Sequence, residues 1–148
     1  MRIFIFFIMT ISSSLSAQKE YRYYIEDARK INFLDEKLSM IATKKTLDLS
    51  KKNKLIKAMS LNRELFYLLT ILSIYEANKA LADKNGCVSA EAYSKVMIVD
   101  WRKELKKQVL SSIGHYNMMK KYFYGKDFEL IEDFQQFSGQ LLERYSSS

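Results

Sequence analysis

Hydrophobic residues recur at helical spacing along most of the chain, and they predict four helices. In the first, over about residues 19–47, apolar positions three and four apart share one face: Tyr24, Ala28, Ile31, Leu34, Leu38 and Ile41. The polar stretch 48–53 predicts a break, with Ser50 as the N-cap of a second helix over about residues 51–83. A single long helix bent through this stretch is the alternative.

The second predicted helix contains the most hydrophobic internal stretch of the chain, residues 65–75, with the sequence LFYLLTILSIY. Apolar residues occupy almost every side of this segment, which predicts a helix buried by neighbours on several sides. The segment is too short to cross a bilayer, because a membrane-spanning helix needs about 20 residues. We therefore expect it to lie in the protein core.

Two turns separate the remaining helices. Gly86 can adopt the left-handed conformation that ends a helix, and Ser89 is the expected N-cap of the third helix. Gly125 is expected to end that helix, and Asp127 to cap the fourth. The apolar stripe of the third helix consists of Met97, Trp101, Leu105, Val109, Ile113, Tyr116 and Phe123. That of the fourth consists of Leu130, Phe134, Phe137, Leu141 and Tyr145.

The composition agrees with an all-α fold. The chain has no proline and only 4 glycines, and these are the two residues that helix interiors exclude. Four amphipathic helices with short turns predict an up-down-up-down four-helix bundle. We expect residues 18–148 to form this single helical domain.

The N-terminus has the layout of a secretory signal peptide. Arg2 supplies a positive charge, residues 3–11 are mostly apolar, and the small residues 12–17 end in a cleavage site between Ala17 and Gln18. An uncleaved anchor is the alternative. The pattern predicts export to the periplasm or cell envelope, or secretion into the medium. The single cysteine excludes an internal disulfide framework.

Catalytic and metal-binding patterns are missing from the sequence. His115 is the only histidine and Cys87 the only cysteine, and along one helix they would lie roughly 39 Å apart. Neither a zinc ligand set nor a glycine-rich phosphate loop is present. Acids in the fourth helix alternate with its apolar stripe, so we expect them on the solvated side. The sequence therefore predicts a non-enzyme with no cofactor and no metal.

Two aromatic clusters are candidate binding surfaces. Tyr21, Arg22 and Tyr23 belong to residue types that are enriched at protein interfaces. The alternative is that the tyrosines at positions 21 and 24 pad the end of the bundle. Tyr122 and Tyr124 form the second cluster, at the predicted end of the third helix.

The charge is unevenly distributed. A lysine-rich segment, opposed only by Asp48, consists of Lys44, Lys45, Lys51, Lys52, Lys54 and Lys57. It could contact an acidic partner or a membrane surface, or it could simply be solvated. Residues 127–143 are acidic, so self-association is an alternative. Export and the lack of interleaved aromatics disfavour nucleic acid. Cys87 is either a reactive thiol that could pair between molecules or a small side chain buried under its turn.

These patterns lead to two hypotheses about function. The first is an exported, non-enzymatic helical protein that acts by protein–protein contact in the bacterial cell envelope, as an accessory subunit of a secretion or conjugation apparatus. Its partner would be another envelope protein or a second copy of the chain. The alternative is a periplasmic inhibitor of the immunity type that neutralises a toxin or hydrolase. The link to envelope machines rests only on size and architecture.

Overall fold

The computed structural model describes the backbone of residues 2–85 and 88–146 and the side chains of residues 22–80 and 101–146. Within those ranges the chain forms four helices and no strand: α1 (Arg2–Ala42), α2 (Leu49–Asn85), α3 (Val88–Met119) and α4 (Gly125–Ser146). The all-α, four-helix prediction is therefore confirmed. The side chains of the predicted signal peptide, of Tyr21 and of Cys87 lie outside the described residues.

The helices α2 and α3 pack antiparallel. His115, near the end of α3, lies beside Lys54 at the start of α2, whereas Arg102, earlier in α3, lies beside Glu76, later in α2. The helix α4 packs on α3 and also contacts α1. In the described part of the chain, α2 contacts α1 and α3 but not α4.

The core follows most of the predicted stripes. All six positions of the α1 stripe are buried, and the α2 side of the core consists of Leu55, Ala58, Leu61, Leu65, Leu68, Leu69 and Leu72. The segment 65–75, however, is not buried on every side. Phe66 is 40% exposed, Tyr67 59% and Ile74 55%. The prediction was wrong here because, among the described residues, α2 packs on α1 and α3 alone, so its remaining side is exposed.

The first helix ends earlier than predicted, and the break after it is real. Residues 43–48 form a connection in which the amides of Lys44 and Leu47 donate to carbonyls three residues back, a pattern that tightens and ends a helix. The alternative of one bent helix is therefore wrong. The backbone amide of Lys51 donates to Asp48 Oδ1 at 2.8 Å, so Asp48 is the N-cap of α2. Ser50 instead accepts from Lys54 Nζ at 2.8 Å.

The connection between α3 and α4 also differs from the prediction. The amides of Lys121 and Tyr122 donate to carbonyls three residues back, so α3 ends at Met119 rather than near Gly125. Gly125 has a positive φ of 59°, a conformation that glycine adopts without a steric penalty, and α4 begins there. Asp127 consequently lies inside the first turn of α4 and is not its N-cap.

A chain of hydrogen-bonded polar groups, buried at Tyr116 and Asn62 and half-buried at Asp35, crosses the bundle. The Tyr116 hydroxyl donates to Asn62 Oδ1 at 2.7 Å, and Asn62 Nδ2 donates to Asp35 Oδ1 at 2.8 Å. Burial raises the pKa of Tyr116, which keeps the hydroxyl protonated as a donor, and burial also raises the pKa of Asp35. The Tyr116 ring stacks on Phe134 with centroids 4.8 Å apart. The chain thereby links α1, α2 and α3, and the stacked rings add α4.

Replacing Asp48 by Ala is expected to lower the thermal midpoint measurably, whereas Ser50→Ala is expected to leave it nearly unchanged. The hydrogen bond from the Lys51 amide holds the pKa of Asp48 below its ordinary value of 3.8. The ionised Asp48 side chain therefore stabilises the folded protein above pH 3.8, and this stabilisation is lost as the pH falls through the lowered pKa. Thermal unfolding by circular dichroism at pH 7 and pH 3 measures both effects. Equal midpoints for the two variants at pH 7 would contradict the assignment of the cap.

Replacing Tyr116 by Phe is expected to destabilise the protein by about 1–3 kcal/mol, because Asn62 Oδ1 would be left buried without its donor. The matched control is Tyr67→Phe, at a tyrosine that is 59% exposed, which should cost less than about 0.5 kcal/mol. Urea denaturation measures both free energies of unfolding. If the two variants are equally stable, the hydroxyl of Tyr116 does not hold the bundle together.

Candidate interaction surface

The first predicted aromatic cluster lies beside the end of α4. Arg22 is exposed, and Tyr23 is 43% exposed with its ring centroid 5.0 Å from the guanidinium carbon of Arg144. Tyr24 is buried and stacks on Tyr145, with ring centroids 5.2 Å apart. Tyr23 thus has a contact within the molecule, a cation–π contact that its sequence position did not reveal. A partner for Arg22 and Tyr23 remains a prediction.

A buried carboxylate anchors this end of the bundle. Arg144 Nη1 lies 2.6 Å from both carboxylate oxygens of Asp27, and the Tyr145 hydroxyl donates to Asp27 Oδ2 at 2.5 Å. Burial raises the pKa of the Tyr145 hydroxyl, and the adjacent Asp27 carboxylate raises it further. The hydroxyl therefore stays protonated. The Asp27 carboxylate thus accepts hydrogen bonds from both Arg144 and Tyr145. These bonds attach the end of α4 to α1.

The second aromatic cluster lies at the opposite end of the bundle. Tyr122 and Tyr124, which are 41% and 78% exposed, precede α4, whereas Tyr23 lies beside its end. The 22 residues of α4 separate the two clusters by roughly 33 Å. Lys54 Nζ lies 4.2 Å from the ring centroid of Tyr122. The fold therefore brings this aromatic cluster together with the predicted lysine-rich segment, which is distant in sequence.

The two connections at this end form one cationic surface, here named the lysine-rich end and defined as residues 43–57 and 120–127. It contains nine lysines, two aspartates and no arginine. Lys44 Nζ lies 2.8 Å from Asp127 and joins the two connections directly. The acids predicted to face solvent in α4 are partly used here as well, because Glu132 Oε1 lies 2.9 Å from Lys120 Nζ.

A shallow cleft of about 540 Å³ opens between α2 and α3 at the lysine-rich end. It is lined by Leu49, Ser50, Asn53, Lys54, Lys57 and His115. His115 Nε2 lies 2.8 Å from the carbonyl oxygen of Lys54, and a carbonyl can only accept, so Nε2 carries the proton. Leu49 is apolar, but Ser50, Asn53, Lys54 and Lys57 supply hydroxyl, amide and ammonium donors, which suit an anionic group. This contact of His115 was not predicted from the sequence.

A second surface, which was not predicted from the sequence, lies along the outside of α1 and α2. We name it the α1–α2 apolar surface. It consists of three exposed large apolar residues: Phe33, Met40 and Phe66. The rings of Phe33 and Phe66 line one shallow pocket together with Arg29, Asn32 and Glu36. The spacing of seven between positions 33 and 40, off the predicted core stripe, was the available signal.

Neither surface has the features of a metal centre. Among the described residues, no group of three or more histidine, cysteine, aspartate or glutamate side chains is placed to hold a metal ion. The three nearby acids of α4 do not converge, since Glu129 and Asp133 are exposed and Glu132 is bound to Lys120. The described helices also include none that is long and apolar enough to span a membrane.

No protein-family model, curated protein or solved structure matches the chain. The two surfaces described above are therefore the candidate functional sites of the described part of the chain. The lysine-rich end offers unneutralised positive charge and exposed tyrosines, and the α1–α2 apolar surface offers exposed aromatic rings. Both arrangements are suited to binding, because contiguous apolar or single-sign surfaces commonly mark contact sites.

Proposed function

We propose that this chain is an exported, non-enzymatic helical protein that acts by contact with another protein of the bacterial cell envelope. An accessory role in a secretion or conjugation apparatus fits this proposal. Cleavage after Ala17 would release residues 18–148 as a single helical domain. The finer topology, an up-down-up-down bundle, fits the antiparallel contacts between neighbouring helices.

The observation that carries the proposal is the α1–α2 apolar surface. Phe33 is 56% exposed and Met40 71%, although each could have been polar without cost to the core. Exposed aromatic rings and methionines are enriched in the buried centres of protein interfaces. The Phe33 and Phe66 rings, flanked by Arg29 and Glu36, form an apolar centre with a charged rim. That arrangement supports a protein partner over a small-molecule substrate.

A photo-crosslinking amino acid with a benzoylphenyl side chain, placed at Phe33 or Phe66 in the native host, is expected to capture the same envelope protein from both positions. Leu110 is the matched control, because it is 50% exposed on α3, which does not contact α1 in the described part of the chain. Mass spectrometry of the crosslinked products identifies the captured chain. Adducts of twice the protein's own mass would mean self-association, and identical adducts from all three positions would contradict a specific surface.

Export is expected to remove residues 1–17, because a short apolar stretch is followed by small residues that end in Ser-Ala. Intact-mass and N-terminal analysis of the protein from the native host should therefore find Gln18 as the first residue, either free or cyclised. Replacing Ala17 by a bulky residue such as Phe should block the cleavage and leave the longer form. Recovery of an intact Met1 in the membrane fraction would contradict cleavage and favour an anchored protein.

A further inference from the structure

The lysine-rich end carries positive charge that the molecule does not neutralise. Three of its nine lysines have acidic partners, at Asp127, Asp48 and Glu132. The other six have no acidic partner among the described residues: Lys45, Lys52, Lys54, Lys57, Lys121 and Lys126. Both aspartates of this end are thus already engaged within the molecule. An external anion is what can neutralise the remaining charge.

Exposed side chains that suit a membrane interface lie among these lysines. Leu49 is 73% exposed and Tyr124 78%, and Tyr122 is 41% exposed under the ammonium group of Lys54. Tyrosine is enriched at the headgroup level of membranes, because its ring is apolar and its hydroxyl is polar. Lysine stems can likewise cover apolar surface while their ammonium groups stay in water. The end of the bundle therefore combines positive charge with amphipathic and apolar side chains.

The type of cationic residue at the lysine-rich end favours one of two anionic partners, a lipid surface or an acidic protein. All nine are lysines, and lysine is depleted at protein–protein interfaces, where arginine provides planar, bidentate contacts to carboxylates. Lysine is a mobile point charge on a flexible stem, which suits a diffuse layer of phosphates. The cleft beside Ser50, Asn53 and Lys57 adds a place where a single phosphate group could be held. These features favour a lipid surface over an acidic protein.

We propose that the lysine-rich end docks on the surface of a membrane that contains anionic phospholipids, with headgroup phosphates bound by the lysines that have no acidic partner in the described part of the chain. Tyr124 and Leu49 enter the headgroup layer. This role goes beyond the proposed function, because it uses a different surface and needs no protein partner. The bundle lies on the membrane through one end and does not cross it.

The test uses the full chain and vesicles made of equal parts of phosphatidylglycerol and phosphatidylcholine, with pure phosphatidylcholine vesicles for comparison. The charge variant is Lys45→Gln/Lys121→Gln/Lys126→Gln, at three exposed lysines. The matched control, Lys79→Gln/Lys103→Gln/Lys106→Gln, removes the same charge from elsewhere on α2 and α3. Residues 1–17 are identical in all variants, so any vesicle binding that they cause is common to all.

The wild-type chain is expected to bind the anionic vesicles more tightly than the neutral ones, and more weakly as salt is added. A lysine near an anionic surface contributes roughly fivefold in affinity, so the charge variant should lose at least about tenfold. The control variant should lose less than about threefold. Cosedimentation measures all of these affinities, and circular dichroism checks that each variant keeps its helices.

A second pair of variants tests the apolar contribution at constant charge. Leu49→Ser should weaken binding to the anionic vesicles severalfold, whereas Ile74→Ser should not. Both residues are more than half exposed on α2, but they lie roughly 37 Å apart along that helix. Equal effects of the two substitutions would overturn the assignment of Leu49 to the docking surface.

Three results would overturn the proposal as a whole. The first is equal binding to anionic and neutral vesicles. The second is an equal loss for the charge variant and its control, because net charge alone would then explain the attraction. The third is tighter binding to soluble poly-glutamate than to anionic vesicles, which would assign the surface to an acidic protein. None of these results bears on the crosslinking at Phe33 and Phe66, so the two proposals fail separately.

Discussion

The relative positions of the first three helices depend on one hydrogen-bonded chain, from Tyr116 through Asn62 to Asp35. Many of the buried residues around it are leucines, but apolar contacts are non-directional and would tolerate sliding. The hydrogen bonds would not, because a shift of one helical turn, about 5.4 Å, leaves the buried Tyr116 and Asn62 side chains without their partners. Both candidate surfaces need this register, since it places Lys54 beside His115 and Phe33 beside Phe66.

Electrostatics at the lysine-rich end follows from the same register. Antiparallel packing brings the α1–α2 and α3–α4 connections to one end, and the ion pair between Lys44 and Asp127 joins them. That pair, together with the pair of Lys51 and Asp48, uses both aspartates of this end. The remaining lysines repel one another only weakly in water, because salt screens exposed charges beyond about 10 Å at 0.1 M. The fold can therefore tolerate a surface that is cationic and not internally compensated.

Helical periodicity predicted the core well and the helix ends poorly. The α1 stripe from Tyr24 to Ile41 needs only local spacing, and all of its positions are buried. Helix ends depend on competing hydrogen bonds within a few residues. Ser50 was predicted as the N-cap of α2, but the amide of Lys51 donates to Asp48 Oδ1 instead. The exposure of Tyr67 and Ile74 could not be predicted, because the number of helices that pack on α2 depends on the tertiary arrangement and not on the local sequence.

The candidate surfaces were predictable in part. The lysine-rich segment and the tyrosines at positions 122 and 124 were each visible in the sequence, but their meeting required the antiparallel arrangement of the helices. The contact of Lys54 with both Ser50 and Tyr122 depends on side-chain geometry that spacing does not contain. For the α1–α2 apolar surface, the off-stripe position of Phe33 was visible, whereas its pairing with Phe66 required the register of α1 on α2.

The orientation of the bundle makes the two proposed contacts compatible. The described side chains of α1 begin beside Arg144 at the end of α4, the end opposite the lysine-rich surface. The lysine-rich end therefore lies roughly 30 Å from the end at which the described side chains of α1 begin, given the length of α4. Under the proposed removal of residues 1–17, the molecule docks through its lysine-rich end. Its helices would then stand upright on the membrane, with Phe33 and Phe66 facing sideways toward a neighbouring protein.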